Sequence, residues 1–354
     1  MKIVHVCGGK NIHGMQRHVL TLAVAQKARG ASVLIVNDQP GEFSAACDEY
    51  GIPVVIEEGL ELPPSEPQAK GVTEKLSSTF TSFGAEVIHC HTRRATMKVI
   101  PVGNKLGVPC VYTHHVAPTQ GFDAAKNLNL KFATISVSRA DWENLKKIGI
   151  SESELYYVPN GTKIMPRDGR RSDRANLMFV GRLEYVKGVD IAILVMAEMK
   201  RRHGPECPIL DVYGDGTLEE YAKEMVSVLR LDDVVRFHGV QAGILEHCAS
   251  TDILIVPSRS EVGPLVVLEA MSRGMHIVTS RVGEVAEMLP DQRYGRIVPV
   301  NSIAAFADAV DSLLSDIHAG KLDPDLLIER HRAVYSDEKM IESIEAVYER
   351  LVQA

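Results

Sequence analysis

Short β-branched runs alternate along the chain with longer stretches whose apolar residues recur at helical spacing. Residues 2–8 (KIVHVCG), 31–37 (ASVLIVN), 53–58 (PVVIEE), 86–91 (EVIHCH), 109–115 (PCVYTHH) and 133–138 (ATISVS) predict strands. Residues 18–30 (HVLTLAVAQKARG) predict a helix stopped at its terminal glycine. This rhythm implies a parallel sheet covered by helices on both faces. Residues 159–176 (PNGTKIMPRDGRRSDRAN) break the pattern with Gly, Pro and Arg, and read as a link between domains. The rhythm then restarts. Residues 176–182, 208–214, 234–239, 252–258, 276–280 and 295–300 predict strands, 304–314 an amphipathic helix, and 336–354 a final helix opened by a serine cap. The expected organisation is two Rossmann-like domains, 1–165 and 166–335, with parallel sheets facing a cleft. A C-terminal helix, 336–354, is placed to cross back to the first domain.

Composition narrows the class. A chain of 354 residues with 45% hydrophobic and 24% charged side chains is an ordinary globular one. No apolar run approaches the roughly 20 residues of a spanning helix. The start lacks the h-region and cleavage site of a signal peptide. Six scattered cysteines form no CxxC pair, which predicts a reducing, cytoplasmic setting without disulfides. The charge is uneven: residues 1–165 carry 17 basic and 15 acidic side chains, and 166–354 carry 22 and 31. Residues 90–147 hold nine basic against three acidic side chains, a stretch able to attract an anionic substrate or a membrane surface. Solvated helix faces explain the same count. An acidic chain with 5% aromatics fits nucleic acid poorly.

The most informative stretch is SRSEVGPLVVLEAMSRG, 258–274. It follows an apolar strand and turns helical at Leu265, with Gly263 free in backbone angle and Pro264 suited to a first helical position. The amides of Leu265 and Val266 would then point at an anion beside the positive end of the helix dipole. Glu261 before the helix and Glu269 within it could hold hydroxyls on either side of a diphosphate. A second signal is FVGRLEYVKG, 179–188, where Arg182 and Lys187 follow the strand end at Gly181 and could converge on phosphate. Gly214-Asp215-Gly216 after the strand ILDVYG reads as a nucleotide-contacting loop, although Glu219 replaces the third glycine of a dinucleotide fingerprint. His89 and His91 look like metal ligands, but one strand offers them only as a pair and no third ligand is evident, so no metal is expected. Asp323-Pro324-Asp325 follows no strand and reads as a surface turn. His114 suits a structural role as well as a catalytic one.

Together these features resemble the retaining GT-B glycosyltransferases of family 4. Residues 258–274 resemble that family's Glu-x7-Glu signature, 179–188 its Gly-Arg-Leu…Lys-Gly signature, 158–161 (VPNG) its Pro-Asn-Gly, 134–138 its Val-Ser strand, and 13–36 its opening Gly-Gly-x-Glu-Arg-His and first helix. Two departures stand out: Gln16 replaces the usual Glu before Arg17, and Val262-Gly263-Pro264 replaces the usual Gly-Phe-Gly. The resemblance implies that Arg182 and Lys187 bind the diphosphate, Glu269 the ribose, and Glu261 the donor sugar. It assigns Gly14 to the approach of the first loop to the donor phosphate, Asn160 to substrate binding, and His115 to the reacting carbon. It implies sugar transfer from a nucleotide sugar such as a UDP- or GDP-sugar, without metal or other cofactor. The acceptor would be a saccharide or a lipid-linked molecule, in surface-glycan synthesis at the inner face of a membrane. A nucleotide-sugar epimerase and a catalytically silent nucleotide-sugar-binding protein on the same fold remain open.

Overall fold

A computed structural model describes residues 1–63, 65–115, 130–165, 175–241, 243–247 and 252–353. The chain divides into two compact units. One comprises Met1–Gly161 together with Asp337–Ala354, and the other Thr162–Ser336. The first crossing thus falls four residues before the expected boundary at 165, and the last helix belongs to the first unit.

The first unit is built on strands β1 (Lys2–Val6), β2 (Ser32–Asn37), β3 (Val54–Ile56), β4 (Val87–Cys90), β5 (Cys110–His114), β6 (Ala133–Ser136) and β7 (Leu155–Tyr157). They form one parallel sheet in the order β3-β2-β1-β4-β5-β6-β7. Alternate residues feed two cores. Val4, Val6, Ile88 and Tyr112 pack under helices Val72–Phe83 and Arg93–Leu106. Ile3, Val87, Val111 and Ile135 pack on the opposite face with Leu22 of helix Gly14–Ala28 and with Ile344, Val347 and Tyr348 of helix Asp337–Gln353. The latter helix is therefore part of the core rather than an appendage. Its Tyr348 is fully buried, with Oη 2.5 Å from His89 Nδ1.

The second unit repeats the plan with β8 (Leu177–Val180), β9 (Leu210–Tyr213), β10 (Val235–Gly239), β11 (Ile253–Val256), β12 (His276–Ser280) and β13 (Arg296–Val298). These six strands are parallel, in the order β10-β9-β8-β11-β12-β13. Helices Val189–His203 and Ile303–His318 cover one face, and Leu265–Arg273 with Pro324–Arg330 the other. Asp323 is not in a free turn: its side chain accepts from the Asp325 amide and starts the helix Pro324–Arg330. The chain enters this unit at Thr162 and leaves at Ser336, and the two residues pair in a short bridge, with the Thr162 amide donating to the Tyr335 carbonyl at 3.0 Å.

Of the five described cysteines, Cys7, Cys47, Cys90 and Cys110 are buried thiols outside any disulfide and Cys207 is buried too, while Cys248 lies outside the described residues. The basic stretch at 90–147 is partly internal. Lys98 donates to the carbonyls of Gly59, Leu60 and Leu62, and Lys146 pairs with Glu152 at 2.6 Å while lying over the Trp142 ring. Arg139 stacks on Trp142 and Tyr157. Asp123 and Lys126 lie outside the described residues. Arg93, Arg94 and Lys147 are exposed. No helix among the described residues is long and apolar enough to cross a membrane.

Tyr348→Phe keeps the ring that fills the core and leaves His89 Nδ1 buried without its partner, a loss of about 1–3 kcal/mol. Urea unfolding should therefore show a lower midpoint with an unchanged slope; an unaltered midpoint contradicts this role for the last helix.

Candidate functional site

In both sheets the order reverses at the central pair, β1/β4 and β8/β11, so the loops leaving those strands diverge and open a crevice at their carboxyl ends. Ligands of doubly wound sheets bind there. In the second unit this crevice collects Gly181 and Arg182 after β8, Gly214 and Gly216 after β9, and Ser258–Pro264 after β11. The sequence signals at 179–188, 214–216 and 258–274 are thus brought together.

Lys187 Nζ lies 2.5 Å from Glu261 Oε1, and Ser258 Oγ donates to the same oxygen at 3.0 Å. The two charged side chains are 27% and 14% exposed, so the pair reaches solvent rather than being sealed in the core. Arg182 is exposed and forms no ion pair among the described residues, although its charge helps hold the Glu184 carboxyl below its usual range, after the hydrogen bonds from Thr217. Helix Leu265–Arg273 begins where the periodicity places it, with Pro264 at the cap position, φ −68° and ψ 109°, rather than at the first helical one. The Val267 amide already donates to the Pro264 carbonyl at 3.1 Å. Leu265 and Val266 therefore present the amides that have no acceptor within the helix. Glu269 is half-buried one turn further along.

Several residues that sequence reasoning passed over build this site. Arg259 grips Asp190 with two hydrogen bonds of 2.9 and 2.6 Å, donates to the Tyr185 carbonyl at 2.6 Å, and lies over the Tyr185 ring. It ties the segment carrying Lys187 to the segment carrying Glu261, and Asp190 raises its already high pKa. Gly188 stands at φ +74°, where an added Cβ would lie 2.3 Å from the Pro257 carbonyl oxygen. Gly283, at φ +50°, approaches the carbonyls of Val262 and Glu261 in the same way. Gly214 and Gly216 are required by this packing too. A Cβ on Gly214 would meet the Gly181 carbonyl at 2.0 Å, and one on Gly216 the Leu183 backbone at 2.6 Å. Loop-on-loop contact thus already accounts for both glycines, which sequence reasoning gave to the nucleotide.

Gly14, His115 and Asn160 belong to the first unit. Gly14 is exposed at the start of helix Gly14–Ala28. Gln16, which replaces the expected glutamate, donates to the Gly8 carbonyl at 2.6 Å and accepts from the His13 amide at 3.2 Å. A glutamate could make only the second bond. Asn160 is buried with Oδ1 3.1 Å from His18 Nδ1, so it orients a histidine. His114 is structural: its Nδ1 pairs with buried Asp141 at 2.6 Å, and Ser136 donates to the same carboxylate oxygen.

His115 is not alone. The sequence offered His89 and His91 as an isolated pair, yet the β1–β4 register sets His5 beside His89, and helix Gly14–Ala28 adds His18. His5 Nδ1 is 3.1 Å from His91 Nε2, and His91 Nδ1 is 3.3 Å from His115 Nε2. His5 Nε2 meets Gln26 Oε1 at 2.7 Å, and His89 Nε2 meets Thr113 Oγ1 at 2.6 Å. Burial lowers the pKa of every one of the five, to about 4 for His5 and His18, so all are neutral near pH 7.

Neutral in the fold and protonated when unfolded, these histidines make stability rise with pH between about 4 and about 6.5, by about 1.4 kcal/mol per pH unit for each group inside its window. Urea midpoints measured in EDTA should fall steeply from pH 6.5 to 5 and level off above 7, with a shallower fall in His18→Gln. A flat profile across that range contradicts the neutral cluster.

Residues 12–164 match the family model for Glycosyltransferase Family 4, and residues 161–326 that for Glycosyl transferases group 1. Glycogen synthase of Mycobacterium tuberculosis is 28% identical over 268 residues, 70% of this chain and 64% of that protein's length. The D-inositol 3-phosphate glycosyltransferase of an Arthrobacter species is 24% identical over 357 residues, covering 87% of this chain and 83% of that one. Anabaena HepE in complex with UDP superposes with a TM-score of 0.86 at 19% identity, over 99% of this chain and 100% of that one. With two consecutive matches spanning both units and this shared architecture, the chain belongs to the family 4, group 1 glycosyltransferases of GT-B fold.

Proposed function

We propose that this protein is a retaining, metal-independent hexosyltransferase, moving a sugar from a nucleoside-diphosphate sugar to an acceptor hydroxyl in the synthesis of a bacterial surface glycan. The observation that carries the reading is the Lys187–Glu261 pair, which joins the loop after β8 to the loop after β11 just before helix Leu265–Arg273 begins. Related folds crystallised with UDP and UDP-glucose support a nucleotide-sugar donor.

In this mechanism the bond from the anomeric carbon to the diphosphate oxygen breaks, and its electron pair leaves with the diphosphate. Fixed cations and helix-terminal amides lower the barrier because they stabilise that charge as it develops. The acceptor hydroxyl attacks from the face the diphosphate is leaving and passes its proton to the departing phosphate oxygen. Lys187 must exchange Glu261 for phosphate as the donor binds, which frees Glu261 for the sugar hydroxyls. Glu269 holds the ribose. His115, in the first unit, is assigned to the sugar at its reacting carbon.

Lys187→Ala and Glu269→Ala should each reduce donor affinity or turnover roughly ten- to hundredfold, the equivalent of about 1.5–3 kcal/mol for a hydrogen bond to a charged group, with circular dichroism unchanged. Turnover should persist in excess EDTA. Near-normal kinetics in both variants would remove the site assignment, loss of turnover on chelation the metal-free step, and donor turnover without any acceptor would favour an epimerase.

The acceptor is proposed to be anionic or membrane-presented, on the strength of the exposed Arg93, Arg94 and Lys147. Sedimentation with liposomes should require anionic lipid, weaken with added salt as a Debye length of about 8 Å at physiological strength dictates, and fall when these three are neutralised. Equal binding to neutral vesicles, or none to either, contradicts it.

A further inference from the structure

The histidine cluster of the first unit holds more nitrogen than its hydrogen bonds use. His89 has both ring nitrogens occupied, by Tyr348 and Thr113. His18 does not. Its Nδ1 faces the Asn160 amide oxygen, which can only accept, so Nδ1 carries the proton and Nε2 the lone pair. That Nε2 is buried and has no partner, in a residue 4% exposed. The same reasoning runs along the chain of rings. His5 donates Nε2–H to Gln26 Oε1, so its Nδ1 accepts from His91 Nε2–H, which leaves the lone pair of His91 on Nδ1. His115 Nε2 lies 3.3 Å from that atom. Donor atoms of His18, His91 and His115 all fall within 4.8 Å of one another.

We propose that His18, His91 and His115 form a binding site for a borderline transition-metal cation of the zinc class. Three imidazoles are a common zinc ligand set and leave the fourth tetrahedral position to solvent. Zinc–nitrogen bonds of about 2.0–2.1 Å place neighbouring tetrahedral donors about 3.3 Å apart, which is the separation of His91 Nδ1 and His115 Nε2. Two of the three ligands already have outer partners of the right kind. His18 donates to Asn160 and His91 to His5, contacts that fix the tautomer and aim the free lone pair inward. To bind, His115 moves its proton from Nε2 to Nδ1; His18 and His91 need no change, and no net proton is released. The cation would cross-link helix Gly14–Ala28 to the ends of β4 and β5. The three ligands all belong to the first unit, and His115 is shared with the proposed transfer step, so a bound cation would withdraw it from the reacting carbon.

Metal-free full-length protein dialysed against zinc chloride should retain one zinc per chain by elemental analysis, and zinc should raise its thermal midpoint. His18→Gln and His115→Gln should each lower zinc affinity by at least about tenfold, whereas His238→Gln, in the second unit, should not. His115 is half-exposed, so its variant decides the matter if the buried His18 variant does not fold. No retained zinc in the parent protein, or equal retention in the folded variants, overturns the proposal. Zinc retention and thermal midpoint are read without turnover, and the glycosyltransferase reading is judged separately, by turnover of the parent protein in EDTA.

Discussion

All-parallel pairing is the constraint on which the rest depends. A chain whose strands run one way must return through helices, so every strand-to-helix loop leaves at the same edge of its sheet. Where the order reverses, at β8/β11, two of these loops part and leave backbone amides and side chains facing an open crevice. The topology brings the loops that carry Arg182, Lys187 and Glu261, and the start of helix Leu265–Arg273, to that edge. The close fit is then set by glycine. Gly188 on Pro257, Gly214 on Gly181 and Gly283 on Val262 allow backbone approaches that no side chain would permit.

Lys187 and Glu261 neutralise each other, yet they remain 27% and 14% exposed, where an ion pair contributes little to stability. Such a pair is readily exchanged for a stronger anion. Arg259 differs. With a bidentate carboxylate, a backbone carbonyl and an aromatic ring as partners, it holds the two loops together.

The strands were legible because buried parallel strands are nearly continuous apolar runs. All were read except Leu155–Tyr157, a three-residue edge strand after a polar turn. The helix start at Leu265 was legible because Gly263-Pro264 followed by helical periodicity is a local pattern. Arg259, Asp190 and Gly283 were not, since each looks like an ordinary loop or helix-end residue until a partner far along the chain is placed beside it. The same limit hid the histidines. His5, His18, His91 and His115 come from four segments, and only the register of β1 on β4 and the docking of the first helix unite them. Gly214 and Gly216 show the converse: the motif was visible, but the packing of one loop on another that it permits was not.

The account's central claim, that the β8/β11 crevice binds the donor diphosphate, is tested most directly by a crystal structure of the protein grown with UDP. The account predicts diphosphate oxygens within hydrogen-bond distance of the Leu265 and Val266 amides and of Lys187 Nζ, with the Lys187–Glu261 contact opened. A nucleotide bound away from these groups, or a Lys187–Glu261 pair left intact beside it, would contradict the claim.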